Sequence, residues 1–168
     1  MNEIIEQLQK NKAVFHDILK KENESMVLWK QTPEKWCLLE IVCHLIDEEC
    51  FDFRFRTKWC LEHPNEMPPP IDPVGWVTKN DYIHQDYDTK FAKFLTERDN
   101  SIGWLQSLKN VNWSSAFEHP KLGVMTARHF LANWLAHDYL HIKQITRLKY
   151  DYLAHNSGEH LDYAGIWK

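Results

Sequence analysis

The chain has 168 residues, 43% hydrophobic and 26% charged, and its 20 basic against 24 acidic residues give a formal net charge of -4. That length suits one domain over residues 1–168, with a core large enough to stand without disulfide staples. The charge balance and the lack of a dense basic run disfavour nucleic acid as a partner. No apolar stretch approaches the ~20 residues of a membrane span, and the start Met1-Asn2-Glu3 is unlike a signal peptide, so a cytoplasmic protein without membrane contact is expected.

Residues 3–29 read as a helix, because Ile4, Ile5, Leu8, Phe15, Ile18 and Leu19 recur mostly at spacings of three, four and seven. Pro33 marks a break. Residues 37–62 form a second helix, apolar on most sides, with Ile41, Phe51 and Phe55 expected on the face of His44. Cys37-Leu38-Leu39-Glu40 stands where a capping box would read Ser-x-x-Glu. The four cysteines, Cys37, Cys43, Cys50 and Cys60, lie spread along this one helix, too far apart for most pairings, and are expected to be reduced.

Five of the seven prolines, with Gly75, fall in residues 64–85. This segment is too long for a tight antiparallel connection. Extended, it reaches up to ~70 Å, against ~39 Å for the second helix. It can therefore run the length of a bundle and leave the third helix, 86–109, parallel to the second. Residues 110–125 read as a loop and Thr126 as the N-cap of a fourth helix ending near Tyr150. Residues 151–168 read as a tail packed on the body through Tyr152, Tyr163, Ile166 and Trp167. Four amphipathic helices indicate an all-α four-helix bundle with a long Pro-rich crossover between helices 2 and 3.

The chain holds 10 His and 8 Trp. On the fourth helix His137 and His141 are four apart and project from one face. At 100° per residue they share an arc of roughly 80° with Phe130, Trp134, Ile145 and Leu148. Imidazoles in an apolar stripe need partners, and a metal ion serves both lone pairs at once. A third ligand should come from another helix, and His44 on the apolar second helix is the strongest candidate. His16 and His129 lie on helices but face outward, and H-E-x-x-H is absent, which disfavours a zincin-type protease.

Together Trp36-Cys37-Leu38-Leu39-Glu40-Ile41-Val42-Cys43-His44-Leu45, Thr126, and His137-x-x-x-His141-Ile142-x-Gln144-Ile145 resemble the DinB/YfiT-like proteins, the DinB superfamily. The resemblance implies an up-down-down-up bundle, usually a homodimer, with one divalent metal held by His44, His137 and His141. It also implies activities such as transfer of low-molecular-weight thiols to electrophiles. Cys37 departs from the serine the family often carries there, which bears on the helix cap and not on the metal.

The expected function is a metal-dependent enzyme acting on a small-molecule substrate: a low-molecular-weight-thiol S-transferase, or a hydrolase if water takes the open position. The alternatives are a non-enzymatic metal- or ligand-binding bundle, or a bundle with satisfied core histidines. Three-His sites accept Zn²⁺ or Ni²⁺, and also Fe²⁺, Mn²⁺ or Co²⁺. Glu48, one turn after His44, is the candidate proton acceptor or orienter of an imidazole. Asp138 and Glu40 are weaker candidates for that supporting role. Trp134, Phe55 and Trp76 are candidate pocket walls, and Arg54 and Arg56 candidate contacts to an acidic thiol.

Overall fold

Four long helical stretches pack side by side: α1 (Asn2–Leu19), the joined α3 (Leu38–Asp47) and α4 (Arg54–Glu62), α6 (Tyr87–Ser107) and α7 (Ala127–Ser157). The computed structural model describes residues 1–21 and 23–167; Glu22 and Lys168, and those parts of the first-helix and tail expectations, lie outside the described residues. α1 contacts α6 and α7, α3 contacts α6, and α4 contacts α7. The path is up-down-down-up, made possible by the long crossover. No helix among the described residues is long and apolar enough to cross a membrane.

Several boundaries differ from expectation. The first helix stops at Leu19 instead of reaching residue 29, and Lys20 leaves helical geometry at φ -53°, ψ 126°. Asn23 opens the short α2 (Glu24–Val27) instead, its side chain accepting from the Ser25 N–H at 2.9 Å. An Asn that can cap a new start competes with continuing the old helix.

The second stretch begins as expected. Glu40 Oε2 accepts from the Cys37 N–H at 2.9 Å, and its other oxygen lies 2.8 Å from Lys30 Nζ. Between α3 and α4, however, residues Glu48–Phe53 form π-helical turns, with the Arg54 N–H bonded to the Glu49 carbonyl five residues back. The wider turns set later residues back from their α-helical positions. Phe51, expected beside His44, is therefore 53% exposed, while Phe53 turns inward at 8%. Phe51 packs on Trp76 and Phe55 on Trp59.

The crossover carries α5 (Pro73–Lys79), started by Asp72, which accepts from the Gly75 N–H at 2.9 Å, with Pro73 in the first turn. Asn80 and the Tyr82 hydroxyl both donate to Asp47 Oδ2, at 2.7 and 2.6 Å, and tie the crossover to α3. The segment 110–125, expected as a loop, contains an antiparallel hairpin of β1 (Ala116–His119) and β2 (Gly123–Thr126), pairing Phe117 with Met125. Gly123, at φ 73°, takes the left-handed conformation that closes the tight connection. Phe117 stacks on Phe130 of α7 at 6.1 Å between ring centres.

Thr126 caps α7, accepting from the His129 N–H at 2.9 Å. The helix passes Tyr150 and runs to Ser157, where Gly158 at φ 67° ends it. Only part of the tail packs as expected: Trp167 lies 5.3 Å from Tyr150, whereas Tyr163 and Ile166 are exposed.

Each long stretch also contributes a buried polar residue to a shared layer: Asn11 between Leu8 and Phe15, Glu49 between Leu45 and Phe53, Arg98 between Phe94 and Ile102, and Asp138 beside Trp134. They meet in one buried layer. Arg98 donates to both Asp138 oxygens at 2.7 Å and to Glu49 at 3.0 and 3.1 Å. Asn11 donates to Asp138 at 3.0 Å, and the Trp134 indole N–H to Glu49 at 3.0 Å. Burial opposes the charge on Arg98, but the two carboxylates outweigh it and hold the guanidinium above its ordinary range.

Candidate metal centre

His44 comes from α3, and His137 and His141 come from successive turns of α7, with one nitrogen from each lying within 4.8 Å of the others. His137 Nε2 stands 3.3 Å from His44 Nε2 and 2.9 Å from His141 Nε2. Nitrogens sharing one tetrahedral ion at ~2.0–2.1 Å stand ~3.3 Å apart, a spacing close to that of both His137 pairs, while the His44 and His141 nitrogens lie within 4.8 Å and close on an ion by side-chain rotation. The outer nitrogens Nδ1 of His44 and His141 are buried without a hydrogen-bond partner among the described residues.

Burial pushes all three imidazoles down. His44 falls to about 3, with neighbouring His141 adding to the effect, and His137 falls to about 2, with His141, His44 and Arg98 adding to it. His141 is lowered by burial, while the neighbouring Gln144 side chain and the charge of Asp138 oppose. At neutral pH the cluster is therefore uncharged, the form in which imidazole offers a lone pair to a metal. The Trp36 ring lies 4.8 Å from His44 and the Phe53 ring 5.0 Å from His137, forming aromatic walls.

Glu48 is buried, at 5% exposure, and not the solvated surface acid its polarity would suggest. Its Oε1 lies 3.8 Å from His44 Nδ1. Burial, reinforced by Asp52, pushes its carboxyl up to about 8. Burial also raises Asp52, against the pull of Arg56, whose Nε is 2.8 Å from Asp52 Oδ1.

A sequence model of the DinB superfamily matches residues 7–145. The chain belongs to the DinB superfamily. Among solved structures it is similar to YfiT from Bacillus subtilis, described as a probable metal-dependent hydrolase with an unusual four-helix bundle topology. The identity is 20%, the TM-score 0.76, and the match covers 95% of this chain and 88% of that one. At that identity the likeness speaks for the fold alone. No curated protein sequence matches the chain.

The remaining candidates of this DinB-superfamily chain fall elsewhere. Asp138 turns away from the imidazoles into the Arg98 layer, Glu40 serves the α3 cap, and Trp134 is core. Phe55 and Trp76 pack on other aromatic rings, as described above. Arg54 is held by Glu97 at 2.7 Å. Arg56 alone of the two arginines lines the hollow beside His137, a cleft of about 390 Å³ walled by Phe53, Phe117, Phe130 and Leu140. Sequence reasoning missed Phe53, displaced inward by the π turns, and Phe117, hidden in an unforeseen hairpin. It also missed Asp52, although Glu48, Asp52 and Arg56 recur every four residues.

Proposed function

We propose that His44, His137 and His141 hold one divalent transition metal, Zn²⁺ or Ni²⁺ first and Fe²⁺, Mn²⁺ or Co²⁺ next. On this reading the chain is an enzyme that hydrolyses a small-molecule substrate or joins it to a low-molecular-weight thiol. The observation that carries this is the convergence of three neutral imidazoles from two helices, their inner nitrogens facing one another with no acid or hydroxyl of the described residues between them. Buried polar groups are otherwise paired, and a cation answers all three inner lone pairs together.

When bound, the ion supplies Lewis acidity that makes a water or thiol nucleophilic near neutral pH. Glu48, in the ionised fraction that a carboxyl near 8 keeps at neutral pH, would take up the proton that this nucleophile releases. With a modest side-chain rotation it also accepts from His44 Nδ1 and fixes that ring. Phe53 and Trp36 keep bulk water from the imidazoles. The description of YfiT supports the hydrolytic branch, whereas the thiol transferases among the members of the resembled superfamily support the other. A homodimer in the cytoplasm remains part of the proposal, with sedimentation as the test of assembly.

The test incubates metal-loaded protein with a small thiol plus an electrophile and, separately, with activated esters and amides. Chelator-sensitive consumption in either arm supports the enzyme and selects the branch. Stoichiometric metal without turnover in any arm would instead favour the non-enzymatic binding module.

A further inference from the structure

Three hollows line up along one face of α7. The first, about 390 Å³, contains His137 and ends at Leu140. The second, about 410 Å³, starts at that same Leu140 and continues over Lys143 and Arg147, with Lys35 opposite. The third, about 130 Å³, shares Lys35 and Arg147 and closes on Trp29 and Trp36. The contributing α7 residues recur every three or four positions from Phe130 to Asp151, so the hollows form one trough along the helix.

The two ends of the trough differ in chemistry. Around His137 aromatic and aliphatic side chains make up most of the walls, with His119, His129 and Asn133 among them, and the one arginine, Arg56, is already paired with Asp52 at 2.8 Å. Beyond Leu140 the walls carry Lys35, Lys143 and Arg147 against a single acid, Asp151, which Arg147 engages at 2.9 Å. Helical rise places Lys143 ~9 Å and Arg147 ~15 Å along the axis from His137.

We propose that the substrate of this centre is amphipathic, with an apolar, ring-sized body between Phe53, Phe117 and Phe130 and a carboxylate beyond Leu140 at Lys35, Lys143 and Arg147. The proposal rests on the reading of the three histidines as the reacting centre, and it adds the substrate class. An apolar body gains from leaving water for the aromatic hollow. An anion gains from a rim with more cations than acids.

The probe is 6-phenylhexanoate, followed by ligand-observed NMR with metal-loaded and chelator-treated protein. Comparison ligands are 6-phenylhexan-1-ol, which lacks the charge, and hexanoate, which lacks the ring. The expected result is binding to both forms, at least ~10-fold tighter than either comparison ligand. Lys143→Glu should weaken 6-phenylhexanoate ~10-fold and leave the alcohol unchanged. Leu122 lines the apolar hollow and is 67% exposed, so Leu122→Glu should weaken both phenyl ligands without unfolding the chain. Any of four results overturns the proposal: equal affinity for the alcohol, insensitivity to Lys143→Glu, binding lost whenever metal is removed, or no saturable binding below ~10 mM. Metal content measured on the same samples separates failure of this proposal from failure of the metal assignment.

Discussion

Arg98 and the three histidines each anchor a polar cluster inside an apolar bundle, adjacent along α7 where Asp138 follows His137, and the bundle treats them in opposite ways. Around Arg98 the donors and acceptors close on one another: two carboxylates, Asn11 and the Trp134 indole meet the guanidinium layer within 2.7 to 3.1 Å. Around His44, His137 and His141 the inner nitrogens face one another and the Nδ1 atoms of His44 and His141 make no hydrogen bond among the described residues, Glu48 Oε1 standing 3.8 Å from the former. A closed layer has no capacity left for a ligand and serves to fix helix register. An open cluster costs desolvation that the protein alone does not offset. The difference separates an architectural polar layer from a site that awaits a partner.

The comparison breaks most sharply at Arg98. Arg98→Met leaves Glu49 and Asp138 buried without their cation and should cost about 3–5 kcal/mol in urea unfolding. Replacing the acids as well, Glu49→Leu with Asp138→Leu, should restore much of that loss. Equal stability of Arg98→Met and wild type would show that the layer is not closed.

Next comes the open cluster. His44→Ala or His141→Ala should lower metal affinity by at least ~100-fold, beyond what losing an outer partner of a ligand costs, while the metal-free variants unfold near the wild-type urea midpoint. A large loss of metal-free stability would instead mean that the imidazoles are architectural. Glu48→Gln should retain bound metal and lower metal-dependent turnover by ~10–100-fold; unchanged turnover would remove Glu48 from the mechanism.

The smallest effect is a pH slope in the metal-free protein. The folded imidazoles lie near 3 and 2 at His44 and His137, below the unfolded value of ~6.5. The unfolded chain therefore binds more protons as pH falls below ~6.5, and stability is lost from there down, by up to ~1.4 kcal/mol per pH unit for each such imidazole. Glu48 acts oppositely: its carboxyl near 8 keeps its proton when folded, so stability falls as pH rises from ~4.5 toward 8. His44→Gln should flatten the acid limb and Glu48→Gln the neutral one, read by urea midpoints across pH.

Much of this was legible in the sequence because periodicity reports which face is buried. His137 and His141 within the stripe of Phe130, Trp134, Ile145 and Leu148 pointed inward before any coordinates. Thr126 as a cap and the length of the proline-rich crossover were equally readable. The register of the second helix beyond Asp47 was not, because a π insertion leaves no clear residue signature, and it moved Phe53 in and Phe51 out. The hairpin escaped because Phe117 and Met125 alternate over only four residues per strand. The Arg98 layer was readable in principle: Arg98 interrupts the run Phe94, Ile102, Leu105 at a core position, but a lone polar residue in one stripe gains meaning only when the other three helices show the same interruption.

The central claim is tested most directly by metal stoichiometry and melting temperature of wild type beside the double variant His44→Ala/His141→Ala, each purified gently and split into chelated and untreated samples. The account predicts one divalent transition metal per wild-type chain, none in the variant, and a chelator-induced drop in melting temperature for the wild type only. Stoichiometric metal retained by the variant, or a wild type that takes up no metal and melts identically with and without chelator, would contradict it.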